Sequence, residues 1–275
     1  MNRKEFAKLI INRLNDQNID DLQKNFKKTS PINHIVIENL LPTEIAAKLD
    51  SSFPEKNNLK LRSETQERKY SAVEWDVKSK IIEECLYSFQ DKKVIKAISK
   101  ISKIDDLSGD PELYAGGVSY MDKDCFLNPH IDNSHDRLRE RYRRLNLLYY
   151  VSIDWNINKN GGELMLFPNG IKSTPVLIPP IFNSLVIMRT DNKSLHGVSK
   201  INSNDAARKC ISNYYFSHSS PLGKNYYHST SFRGFKGEKI KDYYFRFNSL
   251  LRTSIKSSTG NLFGRIFNTG HHRKK

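Results

Sequence analysis

The apolar positions change their period part-way along the chain. Over residues 4–28, Phe6, Leu9, Ile10 and Leu14 recur at helical spacing, which predicts an amphipathic helix or a pair of them. His34-Ile35-Val36-Ile37 is a short β-branched run and reads as a strand. Pro42-Thr43-Glu44 then opens a helix with Ile45, Leu49 and Phe53 on one face, Pro42 suiting a first turn where no donor is needed. Residues 54–72 are polar and read as a surface loop, with a lid as the alternative. Two more helical stripes follow, Ile81, Ile82, Cys85, Leu86 and Phe89, then Val94, Ile95, Ile98 and Ile101. From about residue 112 short strand-like runs arrive at regular intervals between Gly, Pro, Asn and Asp: 113–121, 127–132, 144–153, 162–167, 174–178, 184–189 and 208–217. Many short strands with turns between them predict a sandwich or barrel. The expected fold is mainly β with N-terminal helices: a helical layer at 1–111, a double β-sheet core at 112–220, and a basic extension at 221–275.

Composition refines this picture in two places. The net charge is +15, yet residues 221–275 hold 12 Lys/Arg against 2 Asp/Glu, so the positive charge belongs mostly to the extension. Within it, 226–247 interleaves basic and aromatic residues. That pattern suits nucleic acid or, as the simpler reading, a helix covering a sheet edge with its aromatics and leaving its charges in water. Residues 257–275 are expected to be largely disordered, with a weak attraction for phosphate or an anionic membrane. The three cysteines, Cys85, Cys125 and Cys210, are far apart with no CxxC spacing, so neither a disulfide framework nor a zinc site is expected. With no signal-like or membrane-spanning run, a cytoplasmic protein is expected.

The candidate chemistry lies in Asn128-Pro129-His130-Ile131-Asp132-Asn133. On a strand, residues two apart share a face, so His130 and Asp132 would aim at one point. Alone, His-x-Asp is as well explained by a surface turn. With His196, 66 residues on, it would form a triad of two imidazoles and one carboxylate, the ligand set of non-haem Fe(II) oxygenases. His135 would point to the opposite face, and His218 and His228 lie beyond the last core strand, which leaves His196 as the third ligand. Arg208 opens the 208–217 strand with Cys210, Ser212 and Tyr214 on its face; a buried Arg there demands an anion, and an exposed strand Arg is the alternative. Tyr120 and Tyr150 are hydroxyls within reach of the same anion. Arg143 and Arg144 read as a surface pair or as a pocket rim.

The run Leu145-Asn146-Leu147-Leu148-Tyr149-Tyr150-Val151-Ser152-Ile153-Asp154-Trp155, followed by Gly161-Gly162-Glu163-Leu164, resembles the core of the 2-oxoglutarate- and Fe(II)-dependent dioxygenases, within them the prolyl 4-hydroxylase-type branch. The order Tyr120, His130-Ile131-Asp132, this strand pair, His196-x-Val198 and Arg208 matches as well. The resemblance spans roughly residues 112–217. Val151-Ser152 stands where the family has Leu-Asn, and the step from His196 to Arg208 is slightly long. The resemblance implies a double-stranded β-helix, or jelly-roll, with His130, Asp132 and His196 on Fe(II). It implies 2-oxoglutarate held by Arg208, Ser212, Tyr120 and Tyr150, and O2 as the second cosubstrate, with ascorbate as an accessory. The implied reaction is hydroxylation of an unactivated C–H in a peptidyl residue or small metabolite, with succinate and CO2 as coproducts. Two alternatives are an oxygenase acting on nucleic acid, disfavoured because Asn202 and Tyr214 stand where that group carries arginines, and a jelly-roll binding module without turnover.

Overall fold

A computed structural model describes residues 1–72, 79–111, 113–114 and 116–258. Its centre is one antiparallel sheet of 12 strands that folds over on itself. The strands are β1 (His34–Ile37), β2 (Lys60–Glu64), β3 (Glu67–Ala72), β4 (Gly117–Met121), β5 (Phe126–Ile131) and β6 (Tyr142–Tyr150). They continue as β7 (Leu164–Leu166), β8 (Val176–Ile178), β9 (Ser184–Arg189), β10 (His196–Val198), β11 (Arg208–Ser217) and β12 (Ser231–Phe232). The order is β1-β9-β6-β11-β4-β3-β5-β10-β7-β8, with β2 on β3 and β12 on β5. This is the half-barrel of a double-stranded β-helix, as expected from the sequence. The fold-over happens at β3, which pairs with β4 through Tyr70–Ala72 and with β5 through Glu67–Arg68.

Residues 54–72 therefore correct the sequence reading. They form a short 3-10 turn and the β2–β3 hairpin, and β3 is the strand that joins the two halves of the sheet. β2 is exposed throughout, so no alternation of apolar and polar residues marks it.

Outside the larger half lie helices α1 (Arg3–Asn15), α2 (Ile19–Lys28), α3 (Thr43–Ser51), α4 (Lys80–Ser88) and α5 (Lys92–Ser102). The Asn2 side chain accepts from the Lys4 and Glu5 amides and Glu5 reaches back, a capping box that starts α1. Phe6, Ile10, Ile82, Leu86, Val94 and Ile98 are buried in one cluster with Leu145, Leu147, Tyr149, Ile211 and Tyr215. Burial of each large side chain contributes roughly 1.5–3 kcal/mol. Alternation on the central strands does the rest. Ile211, Asn213 and Tyr215 face the helices, where Tyr215 donates to the Phe89 carbonyl, while Arg208, Cys210, Ser212 and Tyr214 face the interior of the fold.

The short α6 (Ile157–Asn160) leads into Gly161-Gly162. Both glycines have positive φ, +69° and +75°. A Cβ on Gly161 would sit 2.2 Å from the Lys200 carbonyl oxygen, and one on Gly162 would sit 2.9 Å from the Trp155 ring and 3.2 Å from Arg208 Cδ. Only glycine combines that backbone with so little space.

The basic extension forms β12 and then α7 (Lys239–Ser258). The expectation that its aromatics cover a sheet edge holds for Phe245, which is buried against Phe232. It fails for Tyr243, Tyr244 and Phe247, which face outward. Residues 259–275, most of the segment expected to be disordered, lie outside the described residues. All three cysteines are free and buried. No helix among the described residues is long and apolar enough to cross a membrane.

Candidate metal centre and cosubstrate pocket

β5 and β10 lie side by side, with His130 directly opposite His196. Their rings are 4.3 Å apart. Asp132 follows β5 by one residue, its Oδ1 3.5 Å from His130 Nε2 and its Oδ2 3.8 Å from His196 Nε2. The three ligand atoms all lie within 4.8 Å of one another, the one such cluster among the described residues. Each imidazole is oriented by its own backbone: Nδ1 of His130 lies 3.0 Å from the Asn128 carbonyl, and Nδ1 of His196 lies 2.8 Å from that of Ser194. A carbonyl can only accept, so Nδ1 carries a proton on both rings and the Nε2 atoms point into the cluster.

The electrostatics favour the same use. Burial pushes His196 down to about 4, and the neighbouring His130 adds to this, so its ring is neutral near pH 7. Burial alone would push the Asp132 carboxyl up. The Arg143 guanidinium and the two imidazoles outweigh it and hold the carboxyl far below the usual range. Asp132 Oδ2 is buried with no hydrogen-bond donor. An ionised oxygen in that position is costly unless a cation meets it. Two imidazoles, one carboxylate and one open acceptor fit a divalent ion of borderline softness such as Fe(II).

Arg143 corrects the sequence reading of a surface pair. It is 3% exposed, with Nη1 3.3 Å from Asp132 Oδ1 and Nη2 donating to Asn133 Oδ1 at 2.6 Å. Its guanidinium lies 4.2 Å from the Tyr214 ring centre. Arg144 instead turns to the outer surface and donates to Ser217 Oγ and to the Ser219 carbonyl.

Arg208 is buried on the far side of the same cavity. Nη2 donates to the Tyr150 hydroxyl at 3.0 Å, Nη1 meets only the Met121 sulfur at 3.8 Å, and Nε has no acceptor. No carboxylate among the described residues pairs with it. Tyr150 is fully buried behind Arg208, its ring 4.7 Å from the guanidinium, and burial pushes its hydroxyl up to about 12. Ser212 lines the cavity and its Oγ donates to the Gly117 carbonyl at 3.3 Å. Tyr120 is placed differently. It lies opposite Lys209 in the β4–β11 register, whereas Arg208 lies opposite Met121. Its ring therefore points to the other face of β4, edge-on to Tyr70 at 6.2 Å, and Ser119 takes the cavity side.

The cavity measures about 560 Å³, within the usual range for a small-molecule site. The metal cluster and Arg208 both line it, and Arg62, Lys69, Thr230 and Arg252 stand among its other walls. Two contributors went unread in the sequence. Phe232 of β12 stacks on His130 at 5.1 Å. Glu67 of β3 lies at the wall, where burial pushes its carboxyl up but Lys69 at 2.8 Å, with Arg62, draws it below its ordinary value. His135 packs against Tyr142, 4.4 Å between ring centres, and stays out of the cluster.

Residues 116–216 match the family model of the 2OG-Fe(II) oxygenase superfamily. Among solved structures, the chain is similar to a prolyl 4-hydroxylase from Pseudomonas putida: 14% identity, 72% of this chain and 100% of that one covered, TM-score 0.53. It is similar to prolyl 4-hydroxylases from Phytophthora capsici at 17% identity, 90% and 76% coverage, TM-score 0.52. A 2OG-Fe(II) oxygenase family oxidoreductase from Burkholderia pseudomallei matches at 13% identity, 74% and 92% coverage, TM-score 0.51. At these identities the structures attest the shared double-stranded β-helix.

Proposed function

We propose, from the premise that residues 116–216 carry a 2OG-Fe(II) oxygenase core, that the chain hydroxylates an unactivated C–H of a peptidyl residue or small metabolite, consuming 2-oxoglutarate and O2 and releasing succinate and CO2. His130, Asp132 and His196 would hold Fe(II). Bound there with 2-oxoglutarate and O2, the metal supplies the oxidising chemistry that the side chains themselves lack. The observation that carries the reading is the presence in one cavity of two unsatisfied groups: a buried Asp132 oxygen, Oδ2, with no donor, and a buried guanidinium at Arg208 without a carboxylate.

The chain's own contribution is positioning. The Asn128 and Ser194 carbonyls hold both Nδ1–H groups and so keep both Nε2 atoms aimed inward. Arg143 keeps Asp132 ionised. Arg208, held by Tyr150, would take the far carboxylate of 2-oxoglutarate as a forked pair, with the Ser212 hydroxyl beside it. Phe232 covers the outer face of His130 and limits water there. We assign the catalytic unit to 112–220, with β1 and β3 from the 1–111 region completing its sheet and 221–275 as an extension. Three free thiols, all buried, suit a reducing cytoplasm.

The test is succinate formation by the full chain with Fe(II), 2-oxoglutarate and O2, alongside His130→Ala. Turnover that requires His130 is expected, with a product about 16 mass units heavier, one added oxygen atom, after incubation with peptide or metabolite pools. Iron binding at wild-type strength with no succinate from any pool would favour a binding module instead.

A further inference from the structure

α7 presents an apolar stripe to solvent along the side turned away from the protein. Ile240 is 88% exposed, Tyr243 73%, Phe247 62% and Leu250 68%, with Tyr244 and Leu251 also exposed. At 100° per residue these six positions fall within an arc of about 120°. The opposite face docks the helix. Phe245 packs on Phe232, Asp242 accepts from Arg233 at 2.6 and 2.9 Å, Thr253 meets Ser229 Oγ at 2.9 Å, and Arg252 lines the cavity. The stripe is therefore not the face that folds the helix onto the sheet. Exposed apolar patches of this kind mark interaction surfaces.

Charge selects the partner. Lys239 and Arg246, both exposed, run along one edge of the stripe, while Lys241 turns to the protein and donates to Asn128 and Glu238. The single acid on the described part of the helix, Asp242, is taken up by Arg233. Residues 221–275 carry 12 Lys/Arg against 2 Asp/Glu. Two copies pressed together on this face would oppose like charges, whereas an anionic surface is attracted by them. An apolar face with aromatics, rimmed by Lys and Arg, is the arrangement that lies in the plane of a membrane interface.

We infer that α7 docks the protein onto the surface of an anionic phospholipid bilayer, with Tyr243, Phe247 and Leu250 entering the headgroup boundary and Lys239 and Arg246 meeting lipid phosphates. The inference is independent of the catalytic reading. If both hold, docking brings the active-site cavity to the membrane, because α7 also lends Arg252 to its wall.

The experiment is co-sedimentation of the full chain with phosphatidylcholine vesicles, with and without phosphatidylserine, at 0.15 M and 0.5 M salt. Binding to the serine-containing vesicles at least tenfold tighter than to neutral ones is expected, weakening at high salt. Phe247→Glu with Leu250→Glu should lower it at least tenfold while leaving the circular dichroism melt unchanged. Lys239→Glu with Arg246→Glu, at the rim, should do the same should the first pair fail to fold. Three results each overturn the inference: no binding to anionic vesicles at 0.15 M salt; binding unaffected by either pair, which would assign it to other basic segments; or a wild-type dimer in sedimentation equilibrium that Phe247→Glu with Leu250→Glu dissociates, which would make the stripe a contact between two copies.

Discussion

Replacing Arg208 by methionine should separate the stability of the protein from its affinity for 2-oxoglutarate. In the free protein the guanidinium is 3% exposed and meets only neutral groups: the Tyr150 hydroxyl at 3.0 Å, the Tyr150 ring at 4.7 Å and the Met121 sulfur at 3.8 Å. A buried charge held this way costs several kcal/mol of desolvation that a partner carboxylate would offset. Methionine removes that cost and keeps most of the volume, but it strands the Tyr150 hydroxyl, worth about 1–3 kcal/mol. The single variant should therefore unfold within about 2 kcal/mol of wild type. Arg208→Met combined with Tyr150→Phe should be as stable as wild type or more so. For 2-oxoglutarate the loss is one-sided, because its far carboxylate would be left buried and unpaired at about 3–5 kcal/mol. That corresponds to a roughly 150- to 4000-fold weaker dissociation constant. The measurements are urea unfolding of the metal-free protein and anaerobic calorimetric titration of 2-oxoglutarate into protein loaded with Mn(II). A loss of affinity under tenfold would refute the assignment of Arg208. So would a double variant destabilised by more than about 3 kcal/mol, since the charge would then have a structural partner.

Other outcomes follow from the same geometry. Asp132→Ala should abolish Mn(II) binding in a paramagnetic-resonance titration. It should also destabilise the metal-free protein by about 3 kcal/mol, because Arg143 is left buried without its carboxylate. Gly162→Ala should cost about 1–3 kcal/mol in urea unfolding for its positive φ, and should weaken 2-oxoglutarate binding as the new methyl pushes on Arg208. Glu84→Gln tests the α1–α4 contact. The Arg3 hydrogen bond, with Lys80, brings the Glu84 carboxyl down to about 2 from 4.5. Its folded-state value lies below the unfolded one, so the contribution is present above pH 4.5 and fades as pH falls from there towards 2. Arg3 and Lys80 are well exposed, so screening leaves about 1 kcal/mol; wild type and variant should differ by that much at pH 7 in denaturant unfolding, with the difference shrinking below pH 4.5 and lost as pH falls through about 2.

What could be read before the structure was whatever alternation or helical spacing encodes. Residues 208–217 place Arg208, Cys210, Ser212 and Tyr214 on the inner face because nothing interrupts their period of two. His130 and His196 were paired by chemistry alone, and the register that sets them opposite each other lies in strands too short to announce it. The β2–β3 hairpin escaped for a different reason. Lys60–Glu64 and Glu67–Ala72 are polar and charged because β2 is wholly in water and the β3 charges partly pair among themselves. Their strand conformation is imposed by β4 and β5, and a neighbour's hydrogen bonds leave no trace in a segment's own pattern. The same applies to α7, whose apolar spacing was visible while the face that docks, Phe245 rather than Tyr243 or Phe247, depends on where Phe232 lies.

Arg143 shows most plainly how a site residue is hidden. Counting by twos back from Tyr150 and Leu148 reaches Asn146 and then Arg144, so an uninterrupted β6 would send Arg144 into the cavity and Arg143 out. The pairing with β11 runs Tyr215 to Leu145 and then Phe216 to Arg143, skipping Arg144. That extra residue is a bulge, and one residue of slip exchanges the two faces of everything beyond it. The bulge puts a guanidinium where burial without an acid would cost several kcal/mol, and Asp132, 3.3 Å away, is the acid. Bulge, Arg143 and Asp132 therefore stand or fall together. The carboxylate proposed for the metal is also the partner that lets β6 bend, so removing it should disturb the strand as well as the ion.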